Sequence, residues 1–440
     1  MSQFQKSIFQ KKLQKAEQAL GFDFSEELED QEEEQDNSSS PFAKDAPLPT
    51  AKNGPLLSQL LKNSQQGAEA NTTGLTSSFK YQKREDIKPK EWCEFFEHSK
   101  VLEQQETGNK FQIYYSLPNS NSSPIFIFHH GAGSSGLTFA VLGKQIEQYL
   151  ATESPHPKIK PGILVFDARN HGKTKVAEND YSRNSFVKDF SFILKSYLDE
   201  LDPLFKDVIS KKEADPQLIV PPIMLVGHSL GGSVLTEALH QYNGMKDGYF
   251  SKLVELNIIK GLVMFDIVED TAVESLAHMN KFLNSRPKGF RSLKIAIDWH
   301  IKSNFLRKGE SPLVSVPALL MPVEDNDPDV DSSLFKYKWR SDLRLTEPFW
   351  DTWFTGLSGG FVNAPVQSKL LILAGNDNLD KRLMIGQMQG KFQLIVFLES
   401  GHFLHEDLPN KTAISLIDFW KRNFKPNEKK IPILWGHMRN

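Results

Sequence analysis

Residues 223–234, "IMLVGHSLGGSV", are the first segment that could carry out chemistry, because an apolar run ends in a serine surrounded by glycines. The central "GHSLG", with Ser229 in the middle, has the G-x-S-x-G form that is typical of a tight strand-to-helix turn exposing a nucleophile. A purely structural turn would need the glycines but not the serine. The pattern therefore predicts Ser229 as a nucleophile at the carboxyl end of a strand, with the N-terminus of a helix behind it.

A serine hydroxyl is a weak nucleophile unless a neighbouring base takes its proton. Two histidines in the late segment "VFLESGHFLHED", His402 and His405, are candidates for that base. His402 directly follows Gly401 where a loop begins, whereas His405 belongs to the start of the next helix and is interpreted as structural. We therefore expect His402 to be the general base.

Two aspartates could orient this histidine. Asp266 ends the run "GLVMFD", and Asp377 follows the run "LILAGN" one strand later. Either carboxylate, at the end of its strand, could reach a histidine on the final loop. The general topology of such enzymes favours Asp377, but the residues alone leave both candidates open.

Negative charge that develops on a substrate carbonyl needs preorganised N–H donors, each of which contributes about 2.7–4 kcal/mol to catalysis. The Leu230 N–H, directly after the nucleophile, is one candidate. The early loop "HHGAGSSG" supplies the other candidate, the Ala132 N–H, because its glycines allow the backbone to approach a substrate closely. His129 and His130 in this loop are interpreted as scaffolding rather than as acid–base groups.

Strand-like and helix-like segments alternate from residue 111 onwards, and they must position these side chains. Short apolar runs predict the strands "FQIYYSL", "PIFIFHH", "GILVFDA", "IMLVGH", "GLVMFDI", "KLLILAG" and "FQLIVFL". Helical periods fall at about residues 137–150, 185–202, 231–242 and 411–424. This alternation predicts an α/β fold with a mostly parallel central sheet that carries helices on both faces.

About 100 residues separate Asp266 from the strand at Lys369, which is too long for a structureless loop in a compact domain. We expect an inserted cap at about residues 268–365, over the carboxyl edge of the sheet, where α/β folds bind their ligands. Residues 86–440 would then form one domain that contains this cap.

Residues 1–85 differ in composition from the rest of the chain. Nine acids fall within residues 23–36, and a Ser/Pro-rich break follows. Low apolar content and charge repulsion predict that this N-terminal arm is largely disordered.

Composition excludes several classes of function. A net charge of −3 over 440 residues indicates neither a nucleic-acid nor a membrane-surface partner, and no apolar run is long enough to span a bilayer. The only cysteine, Cys93, is interpreted as a packing residue, so no internal disulfide is expected. Because the N-terminus lacks the apolar core of a secretion signal, we expect a cytoplasmic or nuclear protein, or both. No zinc-like spacing or phosphate-binding loop occurs, so neither a metal nor a cofactor is expected.

These motifs and the segments around them resemble the protein phosphatase methylesterase family, a branch of the α/β-hydrolase superfamily. The similarity runs from about residue 91 to 424. It is carried by "PPIMLVGHSLGG", "GLVMFDIVEDTA", "RPKGFRSLKIAIDWHIKS", "FWDTWFTGLS", "LLILAGNDNLDKRLMIGQMQGKFQ" and "SGHFLHEDLPNKTA". Many hydrolases share the serine turn, whereas the cap segments and "IGQMQGKFQ" are far more specific to this family.

The resemblance implies an α/β-hydrolase fold and removal, through an acyl-enzyme, of the methyl ester on the C-terminal leucine of the protein phosphatase 2A catalytic subunit. It also implies Ser229 as nucleophile, His402 as base and Asp266 as acid, which reverses the topological preference for Asp377. The family's glycine run after "HG" is interrupted here by Ala132. The resemblance therefore chooses an acid but leaves the second oxyanion donor open.

A methyl ester offers almost no binding surface, so the tail of the substrate protein must supply specificity. A groove in the cap could bind this tail through basic side chains beside Trp350 and Trp353. The basic candidates are Lys281, Arg286, Lys288, Arg291 and Lys294. The alternative is that these residues form a solvated helix face and that the tryptophans belong to the core.

Two other functions remain open from the sequence. A general carboxylesterase or lipase-like hydrolase would share the triad but accept many esters. A phosphatase-binding regulator with minor catalysis would not depend on the triad, and intact candidates for all three catalytic positions argue against binding alone.

Overall fold

The computed structural model describes residues 88–153, 159–241, 248–325, 327–328, 330–375 and 379–424. The arm predicted at residues 1–85 lies outside the described residues, and so does Asp377, the alternative acid. The described segments contain the serine turn and both late histidines.

A large sheet and a small sheet contain the strands of the described chain. The strands are β1 (His98–Gln104), β2 (Asn109–Ser116), β3 (Ile125–His129), β4 (Gly162–Phe166), β5 (Ile223–His228), β6 (Ile259–Phe265), β7 (Gly289–Phe290), β8 (Leu320–Pro322), β9 (Tyr337–Trp339), β10 (Ser368–Ala374) and β11 (Gln393–Phe397). The large sheet has eight strands in the order β1-β2-β4-β3-β5-β6-β10-β11. Strand β2 runs antiparallel to both β1 and β4, and the other neighbours pair in parallel.

The central strands are buried along their whole length, and apolar up to the histidines that end β3 and β5, because helices cover both faces of the sheet. Every residue of β3, β4 and β5 is buried. Successive side chains of β3 alternate between the two faces, so that Ile125 and Ile127 join one core cluster while Phe126 and Phe128 join the other. The carboxyl ends of these strands meet at one edge, where the candidate site lies.

Helices flank the large sheet and fill the segments between its strands. They are α1 (Ala140–Glu153), α2 (Arg183–Ser196), α3 (Val208–Ala214), α4 (Leu230–Gln241), α5 (Tyr249–Glu255), α6 (Glu269–Leu276), α7 (Met279–Ser285), α8 (Leu293–Lys302), α9 (Ser311–Ala318), α10 (Trp350–Trp353), α11 (Leu357–Asn363), α12 (Lys381–Met388), α13 (Leu404–Asp407) and α14 (Pro409–Asn423). Helices α1 and α14 pack together over one face, and α2 packs against α4 over the other.

Residues 268–365, the segment predicted as a cap, contain helices α6 to α11 and an antiparallel sheet in the order β7-β9-β8. This segment has a small core cluster of its own, to which Phe403, the residue after His402, contributes from outside. The sequence predicts no strands here, because strands of two or three residues are too short for alternation to be recognised.

Two expectations from the sequence differ from the structure. Strand β1 was not predicted, because it is an edge strand whose residues are mostly exposed and polar. The packing role expected for Cys93 is wrong, since this thiol is free and exposed. It lies in a one-turn helix in front of Phe95 and Phe96, and those two rings take the buried positions.

Candidate active site

Ser229 lies on the turn between β5 and α4 with φ = +51°, a conformation that non-glycine residues rarely adopt. The turn is possible because its glycines leave room for the backbone. A Cβ on Gly231 would lie 2.1 Å from the His129 carbonyl oxygen, and one on Gly227 would lie 2.4 Å from the Gly232 nitrogen. The Ser229 N–H donates to the Phe265 carbonyl of β6 over 3.1 Å, which ties the turn to the next strand.

His402 and Asp266 are joined across 136 residues of sequence by a hydrogen bond. The Nδ1 of His402 lies 2.8 Å from Oδ2 of Asp266, and the other carboxylate oxygen accepts the Ala374 N–H at 2.6 Å. Since the carboxylate accepts at Nδ1, we assign the proton to that nitrogen, which leaves Nε2 as a free base. The structure therefore brings these two predicted site residues together, with the Asp266 side chain 7% and the His402 side chain 27% exposed.

Ser229 is only partly buried, and its turn is bonded to Phe265, the residue before Asp266, but its hydroxyl makes no direct hydrogen bond to this pair. Within the part of the chain that the structure describes, no such bond joins Ser229 Oγ to His402. Catalytic hydrogen bonds are often long without substrate and tighten when it binds, so the absence of this bond does not remove Ser229 as a candidate.

His228, which sequence reasoning passed over, holds the loop that carries His402. Its Nε2 donates to the His402 carbonyl over 2.9 Å, and the centroids of the two rings lie 4.6 Å apart. Burial, together with the neighbouring His402 and His405, holds the pKa of His228 well below its usual value, so the ring stays neutral. Its position immediately before the nucleophile was the available signal.

Below the site, His405 and Glu406 share the hydroxyl of Thr138. His405 is fully buried, and its Nε2 lies 2.8 Å from Thr138 Oγ1, which also bonds to Oε1 of Glu406. The other oxygen of Glu406 accepts from Ser315 of the cap segment at 2.5 Å. Burial raises the pKa of Glu406 to about 8, so that its carboxyl group is protonated at neutral pH.

The early glycine loop lies directly against the serine turn. A Cβ on Gly131 would be 3.0 Å from the Ser229 Cβ, so the backbone before Ala132 touches the nucleophile. Leu230 is the first residue of α4, and the first amides of a helix have no partner within it. Both predicted oxyanion donors are thus on segments next to Ser229.

His129 and His130 stabilise this loop through hydrogen bonds to backbone groups. The Nδ1 of His129 donates to the His130 carbonyl over 2.9 Å, and the Nδ1 of His130 donates to the Gly131 carbonyl over 2.7 Å. The Nε2 of His130 also accepts the Ala168 N–H at 2.9 Å. Burial lowers the pKa of His129 to about 4, so the ring is neutral. Their hydrogen bonds agree with the interpretation as scaffolding.

The groove expected beside Trp350 and Trp353 is not formed by these two residues, which are buried. Trp353 is 1% exposed and donates from Nε1 to the Tyr181 carbonyl, and Trp350 donates to Thr346. Both tryptophans belong to the core, as the alternative interpretation held. Of the five basic candidates, Lys281, Lys288 and Arg291 are exposed, Lys294 is partly buried, and Arg286 lines a cavity.

That cavity, of about 70 Å³, lies between the glycine loop and the cap segment. Ala132, Gly133 and Ser134 form one side, and aromatic rings such as Phe282, Trp299 and Phe403 form the other. Its polar groups are Arg286, His300 and the carboxyl of Glu406, with one serine hydroxyl from the cap segment. Since it borders both Ala132 and the neighbour of His402, it is the candidate binding site for a substrate.

The described segments also show what this site lacks. They hold no group of three His, Cys, Asp or Glu side chains placed to bind a metal ion. None of their helices is both long and apolar enough to cross a bilayer.

Comparison with known proteins defines the class first. The sequence profile of the alpha/beta hydrolase family matches residues 126–413, which include the glycine loop, the serine turn and the late histidines. A solved structure titled E-2-(acetamidomethylene)succinate hydrolase aligns with 74% of this chain and 100% of its own, at 14% identity and a TM-score of 0.48. The chain is an α/β hydrolase, and the fold class predicted from the sequence is confirmed.

Curated relatives then define the family. The chain is 42% identical to the protein phosphatase methylesterase 1 of Yarrowia lipolytica over 360 residues, which cover 80% of this chain and 76% of the relative. It is 41% identical to that of Saccharomyces cerevisiae over 354 residues, covering 78% and 79%. The chain belongs to the protein phosphatase methylesterase 1 family, and the resemblance noted from its motifs is confirmed.

Proposed function

We propose that this protein removes the methyl ester from the C-terminal leucine of the protein phosphatase 2A catalytic subunit. As a member of its family the chain is a carboxylic ester hydrolase. The observation that carries the proposal is the 2.8 Å hydrogen bond between His402 and Asp266, beside a serine on a turn with positive φ. These are the parts that nucleophilic ester hydrolysis requires.

In the first half-reaction Ser229 Oγ attacks the ester carbonyl while His402 Nε2 takes its proton. Asp266 holds the proton on Nδ1 and stabilises the imidazolium that forms. The N–H groups of Leu230 and Ala132 face the oxygen on which negative charge develops. Collapse of this intermediate expels methoxide, to which His402 returns the proton, so that methanol leaves and an acyl-enzyme remains.

The second half-reaction regenerates the serine. Water attacks the acyl-enzyme carbonyl as His402 removes one of its protons, and the same oxyanion donors stabilise the second intermediate. Ser229 Oγ then leaves as the hydroxyl after it receives that proton from His402. The products are the free C-terminal carboxylate and methanol, and no group outside the chain, the ester and water is needed for this balance.

The partner in this reaction is the methylated tail of the phosphatase catalytic subunit, and no nucleic acid or membrane takes part in it. The name shared by the relatives is the reason for choosing a phosphatase as substrate. We further propose that the reaction takes place in the cytoplasm, the nucleus or both. A thiol such as Cys93, which is free and exposed, suits a reducing compartment.

The direct test is to incubate the protein with phosphatase 2A catalytic subunit that carries a radiolabelled methyl ester and to follow the release of methanol. We expect the label to be lost with the wild-type protein and to be retained with Ser229→Ala. If small esters are hydrolysed but the label stays on the phosphatase, a general carboxylesterase is the better assignment. If the phosphatase binds tightly and no ester is hydrolysed, the protein is a binding regulator.

A further inference from the structure

One charged side chain in the candidate substrate cavity, Arg286, has no role in the steps above. The guanidinium of Arg286 lies over the indole of Trp339, with its central carbon 3.6 Å from the ring centroid, a distance typical of stacking. The indole itself is fixed, because its Nε1 donates to the Pro287 carbonyl over 2.7 Å. The position of the arginine is therefore set by an aromatic platform in the cap segment.

Stacking occupies only the face of the Arg286 guanidinium, so the N–H groups along its edge remain available to donate hydrogen bonds. A guanidinium carries five N–H donors, all in its plane. Among the residues that the structure describes, none accepts a hydrogen bond from Arg286 and none forms an ion pair with it. Asp342 is an opposite charge that acts on the pKa of Arg286, and its effect is smaller than that of burial and of the neighbouring Arg344.

The other polar groups of the cavity do not neutralise this cation. Burial lowers the pKa of Arg286 only to about 10, so that it remains charged at neutral pH. Glu406 is protonated there, because burial raises its pKa to about 8. His300 donates from Nδ1 to the Ala296 carbonyl, and burial lowers its pKa to about 4, so its ring is neutral. The lining of the cavity thus carries the positive charge of Arg286 and no negative charge.

A planar guanidinium with a free edge matches a carboxylate, which accepts two parallel N–H bonds in the same plane. The remaining walls are mostly apolar, with phenylalanine, tryptophan and leucine side chains, so the ligand must combine an apolar body with a single carboxylate. We propose that Arg286, stacked on Trp339, binds a carboxylate of the substrate and so determines specificity in the ester-hydrolysis site. This inference rests on the proposed function for the identity of the substrate, but not for the chemistry of the site.

Two sources can supply this carboxylate. One is an acidic side chain in the tail of the methylated protein, near its esterified end. The other is the C-terminal carboxylate that hydrolysis creates, which would then bind as product. Both use the same guanidinium edge, and separate experiments distinguish them.

The site is tested without the phosphatase by two small activated esters of equal chain length, p-nitrophenyl hexanoate and its anionic counterpart p-nitrophenyl monoadipate. We expect the ratio of kcat/KM, anionic over neutral, to fall at least tenfold in Arg286→Gln. Arg286→Lys keeps the positive charge but loses the two parallel N–H donors of the guanidinium, and we expect an intermediate ratio. Lys288→Gln removes an exposed charge two residues away and should leave the ratio unchanged. Equal ratios in the wild type and in both Arg286 variants would overturn the proposal, and thermal unfolding checks that the variants fold.

The source of the carboxylate is tested with methylated phosphatase catalytic subunit. If Arg286 binds an acidic side chain, then substituting neutral residues for the acids in the phosphatase tail lowers kcat/KM of the wild-type enzyme at least tenfold. For Arg286→Gln the same tail substitutions should leave kcat/KM unchanged. If the product carboxylate is bound, the demethylated phosphatase inhibits the wild type at least tenfold more strongly than Arg286→Gln, and the neutralised tail has no effect. If neither difference occurs, Arg286 binds no carboxylate of this substrate. A wild type that prefers the anionic ester but leaves the phosphatase methylated contradicts the proposed function and not the carboxylate site.

Discussion

At the scale of single residues, the proposed reaction depends on the Ser229 hydroxyl, which makes no other contact that the fold requires. We expect Ser229→Ala to abolish ester hydrolysis while leaving the fold and phosphatase binding largely intact, since the side chain makes no hydrogen bond among the described residues. Triad losses reach roughly 10⁶-fold in kcat. Release of radiolabelled methanol measures the effect, and Ser415→Ala, on the exposed side of α14, is the matched control. More than about one per cent residual activity would contradict the role of Ser229.

The acid can be assigned by a pair of substitutions. In Asp266→Asn the amide oxygen can still accept the Ala374 N–H, so the amide nitrogen faces His402 Nδ1. The histidine must then carry its proton on Nε2, where the base is needed, and we expect kcat to fall by about 10⁴. Asp377→Asn should have a mild effect in the same assay. The opposite ranking would assign the acid to Asp377.

At the scale of elements, the fit between β3 and α4 is the tightest feature of the site. We expect Gly231→Ala to lower both activity and thermal stability, because its Cβ would lie 2.1 Å from a backbone oxygen of His129 and the helix would have to move away. Unfolding midpoints and kcat measure the two effects. Gly309→Ala, where no atom lies within 4 Å of the added Cβ, should leave both unchanged. A Gly231→Ala variant with wild-type activity would show that the turn tolerates the shift.

The sequence predicted the parts of the fold that have a strong local signal. Seven strands of the large sheet contain the apolar runs that predicted them, and the four predicted helices correspond to α1, α2, α4 and α14. Strand β1 and the cap strands escaped prediction, because an exposed edge strand and strands of two or three residues bury too little to impose a pattern. A periodic pattern of apolar residues arises from burial on one side of an element, and these strands bury few residues.

The site was predictable in its residue types and not in its pairings. The G-x-S-x-G turn indicated Ser229, since the glycines of that turn are required by contacts within a few residues of sequence. The choice between Asp266 and Asp377 depends on how two strand ends face a distant loop, which only a resemblance to known proteins could suggest. His228 bonds to the His402 carbonyl and Arg286 stacks on Trp339, and neither contact leaves a trace in the sequence.

At the scale of the whole molecule, one buried carboxyl group links stability to pH. The pKa of Glu406 is raised from 4.5 to about 8 in the fold, so the folded chain keeps a proton that the unfolded chain loses over that interval. The contribution of this group to the free energy of unfolding is therefore complete below pH 4.5 and declines as pH rises towards 8, by roughly 1.4 kcal/mol per unit.

Glu406→Gln removes this proton and keeps a side chain that can bond to Thr138 and Ser315. We expect the variant to gain stability relative to the wild type as pH rises from 5 to 8. Urea unfolding at several pH values measures the difference, and Glu399→Gln, at an exposed position, should follow the wild type throughout. Parallel curves for the wild type and Glu406→Gln would show that the carboxyl group is ionised in the fold.

The close packing that Gly231 permits also bears on which parts of the site can move during turnover. Because the end of β3 touches the first turn of α4, the nucleophile, the Leu230 amide and the glycine loop form one closely packed piece. His402 instead stands on a loop held by Asp266 and His228, and its neighbour Phe403 packs against the cap segment. We therefore predict that the motions that admit substrate and release methanol occur in the cap segment and in this loop, while the segments that carry Leu230 and Ala132 stay in place.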